Sequence, residues 1–301
     1  MMKLSSLAKF SAFGIGTILF RRKKPILGTI IITQKCNLTC KHCAVYDTDA
    51  PMYPYAQIQV EMRRLYEMGV RILFFSGGET FMWRDAGKTP RDLVVEARQM
   101  GFLIVNVVTN GTYPIDLPEA DLILLSLDGG RENHNLIRGD TYDTILHNIR
   151  NATAGNICFY MALNKLNKSD IAHVCELARA EPNVRAASFN FHVPYPGTED
   201  LSLTLADKEE CCASITEMMR RGHPVFNLRS ALPHIVRNTF KTPCHQCVVV
   251  EKGKYSVCGR CIDLPGMCAK CGYFFAAEYS LVFGGNLRVI IEMLRTYPKY
   301  L

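Results

Sequence analysis

The chain has 301 residues, 48% of them hydrophobic, enough for one large core or for one domain with a small appendage. Its thirteen cysteines sit mostly in C-x2-C pairs, which argues against a disulfide framework and for metal binding in a reducing cytosol. The net charge of +7 is concentrated in Lys3, Lys9, Arg21, Arg22, Lys23 and Lys24; a nucleic-acid binder would carry its basic face on the folded domain, so no nucleic acid is expected.

Residues 1–24 place Leu4, Leu7, Ala8, Ile15, Ile18 and Leu19 at helical spacing, with Phe10, Phe13 and Phe20 alongside. The stretch is too short and interrupted for a membrane span, and no small-residue cleavage site precedes the basic cluster. It reads either as an interfacial helix giving peripheral contact with an anionic membrane or as a helix packed on the domain; periodicity does not separate the two.

From Leu27 onward strand and helix alternate. The strands expected are Leu27–Thr33, Val70–Ser76, Leu103–Thr109, Leu122–Leu127, Ile157–Leu163 and Arg185–Phe191. Helices are expected over Ala56–Met68, stopped by Gly69, and over Pro90–Met100, opened by proline and stopped by Gly101. Three more run over Tyr142–Ala154, from Ser169 to about Arg179, and from Thr204 to near Gly222. Six strand–helix units imply a parallel sheet and fit an open (βα)6 barrel, whose chemistry gathers at the C-terminal strand ends. The expected divisions are a basic arm over 1–24, a barrel over 25–235, a cysteine-rich segment over 236–279 and a closing helix over 280–301.

Each strand end carries polar or sulfur chemistry. Cys36, Cys40 and Cys43 follow the first strand with C-x3-C-x2-C spacing. Three thiolates so spaced can hold three corners of a cubane iron–sulfur cluster and leave the fourth iron open; a zinc loop would more often use paired C-x2-C units and a closed fourth position. Gly77, Gly78, Glu79 and Thr80 follow the second strand, where the glycines permit close backbone approach and Glu79 offers a carboxylate to an ammonium. Asn110 and Gly111 end the third strand and also make an ordinary turn. Ser126 and Asp128 end the fourth and can bond a ribose or a substrate; Glu132, His134, Arg138 and Gly139 follow. Asn164, Lys165, Asn190, His192 and Tyr195 end the last two strands, and a lone histidine such as His192 is more often structural. Cys158, Cys175, Cys211 and Cys212 read as inert buried thiols, and Met62 and Met218 as core filler.

Taken together, the C-x3-C-x2-C loop, the Gly-Gly-Glu and the Ser-Leu-Asp-Gly run resemble the radical S-adenosylmethionine (radical SAM) superfamily over about the first two hundred residues. The resemblance implies a partial (βα)6 TIM-like barrel of the α/β class, with a [4Fe–4S] cluster on the three cysteines. It also implies S-adenosylmethionine chelated by the open iron and cleaved by one electron, from a donor such as flavodoxin or ferredoxin, to a 5′-deoxyadenosyl radical. By the same resemblance Glu79 meets the methionine amino group, Arg138 the methionine carboxylate, and Asn110 the cofactor.

Residues 244–271 hold Cys244-x2-Cys247, Cys258-x2-Cys261 and Cys268-x2-Cys271, a metal-folded knuckle rather than accidental packing. Thiolates alone suit zinc or an iron–sulfur cluster. The resemblance extends to the SPASM or twitch extensions, which carry auxiliary [4Fe–4S] clusters, though both later spacings depart from that pattern and no cysteine follows Cys271. The relatives it implies modify peptides or proteins; a lipid or isoprenoid substrate is the alternative that the amphipathic arm suggests, and a zinc-stabilised binding protein without turnover is the non-enzymatic one. Beyond the knuckle, Val289, Ile290, Met293, Leu294 and Tyr297 share one helical face.

Overall fold

A computed structural model describes residues 12–17, 24–43, 47–241, 245–258 and 263–301. The amphipathic arm expected over 1–24 therefore lies largely outside the described residues, although 12–17 are helical.

Six parallel strands form the barrel wall: β1 (Leu27–Thr33), β2 (Ile72–Gly77), β3 (Ile104–Thr109), β4 (Leu122–Ser126), β5 (Ile157–Leu163) and β6 (Val184–Phe191). Alternation decides their two faces. On β1, Ile30 and Ile32 are fully buried under the helices, while Leu27, Thr29 and Ile31 line the barrel interior. A Cβ added at Gly28 would come within 3.0 Å of Leu65 and Val70 side-chain carbons, so the glycine lets the first helix pack close to the strand there.

The covering helices begin and end on the signals in the sequence. Helix α1 (Tyr55–Met68) stops at Gly69 with φ 112°, and α2 (Pro90–Met100) opens on a Thr89/Asp92 capping box and stops at Gly101 with φ 99°. Both glycines adopt left-handed backbone at the helix end, where other residues are strained. Helices α3 (Arg131–Arg138), α4 (Tyr142–Arg150), α5 (Ile171–Ala180) and α6 (Leu205–Arg220) follow. Thr204 and Asp207 form the capping box of α6. Helix α4 ends earlier than its periodicity suggests, because Asn151 caps it at the carbonyls of His147 and Ile149. A short helix α7 (Leu232–Val236) leads toward the cysteine-rich segment.

That segment is not a free-standing knuckle. Its strand β7 (Cys247–Glu251) pairs parallel with β1, and β8 (Lys254–Val257) pairs antiparallel with β7, giving the order β6-β5-β4-β3-β2-β1-β7-β8. Val248 and Val250 are buried in the barrel core. The β-branched run and the Lys252-Gly253 turn are hairpin signals masked by the surrounding cysteines.

The last two helices, α8 (Phe274–Phe283) and α9 (Leu287–Tyr300), replace the one closing helix expected. The chain bends by 119° between them, at Gly284 and Gly285. Phe274 NH donates to Asn190 Oδ1 at 2.8 Å, and its ring meets Phe191 edge-on at 4.7 Å, so α8 starts against the end of β6. Val289, Met293 and Tyr297 pack inward, whereas Leu294 is 53% exposed and shares the outer side with Leu287 and Ile291. No single described helix is long and apolar enough to cross a membrane; the bent pair reaches the length only together.

Glu278 of α8 is fully buried, where it accepts from Leu228 NH at 2.9 Å. Burial pushes its carboxyl from 4.5 up to about 7, against the opposing pull of the Leu228, Asn227 and Tyr297 donors. The folded chain thus keeps a proton that the unfolded chain loses above about 4.5, and stability falls as pH rises through that window to about 7. The Glu278→Gln variant keeps an acceptor for Leu228 NH without the charge. It should melt higher than wild type at pH 8, by on the order of 2–3 kcal/mol, and the gap should close below pH 4.5. Parallel melting curves by circular dichroism across that range check this; a gap that does not change with pH would contradict it.

Candidate active site

The site is assembled from loops at the C-terminal ends of β1 to β4. The loop after β1 carries the three cysteines, and it is held from several sides. Cys36 NH donates to Asp47 O at 3.2 Å, Cys43 NH to Cys40 O at 3.0 Å, and Lys41 NH to Ile137 O of α3 at 2.9 Å. Cys36 and Cys40 are 8% exposed, Cys43 more so, and none forms a disulfide.

The loop after β2 locks onto this one backbone to backbone. Gly78 NH donates to Thr33 O and Glu79 NH to Lys35 O, each at 2.8 Å. A Cβ on Gly77 would collide with Thr33 O, and one on Gly78 with the Gln34 and Lys35 carbonyls. The two glycines are required by the neighbouring cysteine loop itself, a reason the sequence does not reveal.

Glu79, expected to offer its carboxylate to an ammonium, is fully buried and accepts from three donors of the protein. Oε1 accepts from Phe81 NH at 2.8 Å and Thr109 Oγ1 at 2.7 Å, and Oε2 from Asn110 NH at 2.6 Å. Burial raises its pKa, and these donors oppose the rise. Glu79 thus staples the β3 loop to the β2 loop. Asn110 then reaches the cysteine loop, donating to Asn37 Oδ1 at 2.9 Å and contacting Cys36 Sγ at 3.8 Å.

Asp128, expected to bond a ribose or a substrate, is also fully buried; its carboxylate accepts from Arg138 Nε at 2.6 Å and Ala162 NH at 2.9 Å. Burial pushes the Asp128 carboxyl up, but the Arg138 guanidinium, His42, the Ala162 NH and His134 together outweigh burial and hold it below the usual range. Arg138 in turn places Nη1 3.8 Å from Cys40 Sγ and Nη2 3.4 Å from His42 Nε2. The guanidinium expected at a methionine carboxylate also joins Asp128 to the cysteine loop. Sequence reasoning missed this link, because nothing local ties Arg138 to a loop about a hundred residues earlier.

The donor set fits a thiolate-held cluster. Burial pushes the Cys40 thiol up to about 11 and raises Cys36 as well, while Arg138 and Asn110 respectively pull them down. Each buried sulfur thus already has an N–H donor suited to a thiolate, the form a metal requires. Two buried atoms beside the loops, Thr80 Oγ1 and His42 Nδ1, have no hydrogen-bond partner among the described residues, which leaves polar capacity for a bound group. Ser126 is 9% exposed at the end of β4.

The other expected contacts are internal. His192 Nε2 lies 3.0 Å from Thr198 O, and Asn164 Oδ1 accepts from Leu166 NH at 2.9 Å. Cys158, Cys175, Cys211 and Cys212 are buried thiols, each pushed up to about 12 chiefly by burial. In the tail, Cys244 and Cys261 lie outside the described residues. Sheet register puts Cys247 beside Leu27 and Cys258 next to Val257, which pairs with Val248, at the N-terminal end of β1. Cys271 instead adjoins Gly272, whose carbonyl accepts from Phe191 NH at the far end of β6. Among the described residues no three His, Cys, Asp or Glu side chains are gathered as a single-ion site.

Beneath the loops the barrel encloses a cup of about 340 Å³.

A family model described as the radical SAM superfamily matches residues 30–178. The Fe-coproporphyrin III synthase of Methanosarcina barkeri is 30% identical over 224 residues, 67% of this chain and 53% of that protein. The sporulation killing factor maturation protein SkfB of Bacillus subtilis is 28% identical over 168 residues, 50% of this chain and 39% of that protein. The chain thus spans about half the length of the first relative and less of the second. The structure of Streptococcus suis SuiB bound to precursor peptide SuiA superposes with a TM-score of 0.62 at 12% identity, over 92% of this chain and 70% of SuiB. That of anSMEcpe with bound AdoMet and the Cp18Cys peptide gives 0.57 at 18% identity, over 92% and 84%. At such identities the likeness is one of fold.

Proposed function

This chain belongs to the radical SAM superfamily, and on that premise we propose that it cleaves S-adenosylmethionine reductively at a [4Fe–4S] cluster and modifies a peptide or protein substrate. The observation that carries the reading is the lock at the strand ends: Cys36, Cys40 and Cys43 on one loop, two of them with an N–H donor at sulfur, fastened to the glycine loop and to Arg138. When bound, the cluster and S-adenosylmethionine supply the 5′-deoxyadenosyl radical. The three cysteines hold the cluster. The backbone of Gly77 and Gly78, the Thr80 hydroxyl, Asn110 and Ser126 lie where they can contact the cofactor. Glu79, Asp128 and Arg138 position these groups and keep the cysteine loop in register. The peptide part of the reading is supported by SkfB, a maturation protein, and by the peptide-bound SuiB and anSMEcpe folds. A one-electron donor of the flavodoxin or ferredoxin type completes the requirement. Cys258, Cys261, Cys268 and Cys271 are proposed as ligands of an auxiliary [4Fe–4S] cluster, with Cys244 and Cys247 as partial ligands of a second site and zinc as the competing metal.

The full chain, purified and reconstituted without oxygen, should form 5′-deoxyadenosine from S-adenosylmethionine on addition of dithionite. A Cys36→Ala/Cys40→Ala/Cys43→Ala variant should form none yet retain about four irons per chain if one auxiliary cubane is present. Absence of 5′-deoxyadenosine from the iron-loaded wild type would overturn the activity; stoichiometric zinc and no iron in the triple variant would make the tail a structural zinc site.

A further inference from the structure

We propose that the barrel cup receives a large apolar side chain of the peptide substrate, of the leucine or phenylalanine kind, and excludes an acidic one. The inference rests on the peptide reading above and adds the class of residue delivered to the site.

The argument starts from what lines the cup and what does not. Of the residues proposed to contact or position S-adenosylmethionine and its cluster, only Gly77 borders it, while Cys247 and Cys258 of the proposed auxiliary set border it as well. Glu79, Thr80, Asn110, Asp128 and Arg138 lie outside its lining, so the cup is space beside the cofactor set. Its wall is formed by inward-facing side chains such as Ile31, Phe74, Val108, Leu124, Val249 and Phe275, none of them fully buried by neighbours. Its floor is shut: Leu27, Ile72, Leu122, Tyr297 and Leu301 are each no more than 5% exposed. A shut, apolar floor below a partly exposed wall admits a side chain of limited length from the strand-end side and nothing that must pass through.

Charge narrows the class further. Among the described residues lining the cup there is no lysine, arginine or histidine. Both carboxylates that border it already have donors, Gln34 Nε2 on Glu251 and Leu228 NH on Glu278. Neutral donors such as Asn190 Nδ2 border the cup, but a substrate carboxylate entering it would lose its water and gain no cation, which is costly, while an aliphatic or aromatic group would replace water on apolar wall. A lysine could lay its stem along the wall and carry its ammonium to Glu251, so the three side-chain classes make separable predictions.

The test uses the full chain and capped pentapeptides Gly-Gly-X-Gly-Gly, with X leucine, phenylalanine, lysine or glutamate. Saturation-transfer NMR should show strong transfer to the leucine and phenylalanine side chains, and binding of the glutamate peptide about tenfold weaker or more. The Val108→Glu variant, which places a charge on the wall, should lose the leucine signal while its circular dichroism stays that of the wild type. If that variant does not fold, the wild-type panel still decides the matter. Equal transfer for leucine and glutamate, or transfer strongest for lysine, would overturn the proposal. Formation of 5′-deoxyadenosine is followed in parallel without peptide: its absence would count against the radical SAM activity, whereas its presence with no preference among the peptides would count against the cup alone.

Discussion

Replacing Cys36, Cys40 or Cys43 singly by alanine should lower 5′-deoxyadenosine formation by at least about a hundredfold, a larger loss than disturbing a neighbour of the cluster would cause. Each cysteine supplies one of only three protein ligands, and among the described residues no other thiol lies on the β1 loop. The other described cysteines of the barrel, Cys158, Cys175, Cys211 and Cys212, lie in β5, α5 and α6 as buried protonated groups. The three replacements should nevertheless differ in detail. Removing Cys36 or Cys40 leaves Asn110 Nδ2 or an Arg138 N–H without its sulfur contact, whereas Cys43 is the more exposed of the three. The Cys43→Ala chain should thus melt closest to wild type before reconstitution. Iron content, 5′-deoxyadenosine and melting temperature measured on the same preparations check this, with Cys158→Ala as a control that should retain the cluster. Wild-type product formation by any of the three variants would remove that residue from the ligand set.

The Asp128→Ala change should be the most destabilising single substitution at the site. It strips the partner from a guanidinium whose side chain is 9% exposed. Breaking a buried pair from one side typically costs about 3–5 kcal/mol, because a charge remains in low dielectric, whereas replacing both partners by apolar groups is often nearly neutral. The double variant Asp128→Leu/Arg138→Met should therefore recover much of the melting temperature. It should not recover activity, since Arg138 also touches Cys40 and His42. A purely structural pair would behave otherwise: activity would return along with stability. A single Asp128→Ala variant within about 1 kcal/mol of wild type would show that the pair is not the clamp the geometry indicates.

These two expectations also mark what could be read from the chain alone. The strands were legible because each is a short β-branched run: Leu27–Thr33 and Ile157–Leu163 coincide with β1 and β5 end to end. Helix limits were legible where glycine, proline or a capping box fixed them, as at Gly69, Pro90 and Thr204. What could not be read were contacts between loops far apart in sequence. The partners of Glu79 and Asp128 within the protein are invisible locally, because a polar residue at a strand end has none in view until the neighbouring loops are placed. Here those loops bring three donors to Glu79, and Arg138 and Ala162 to Asp128. The β7 strand was obscured for a different reason: Cys247 and its neighbours carry two signals at once, metal spacing and strand propensity.

The glycine-mediated lock between the β1 and β2 loops has a consequence for hydrogen exchange. The amides of Gly78 and Glu79 are bonded to carbonyls of the cysteine loop, and that of Asn110 to the Glu79 carboxylate. None of these amides can reach solvent unless the loops part, so they should exchange together, through one shared opening. Loading the cluster ties the cysteine loop down further, and by mass action it should slow all three to the same extent. The strand ends of β1, β2 and β3 then form a single cooperative unit, within which local fraying and cofactor loss are the same event.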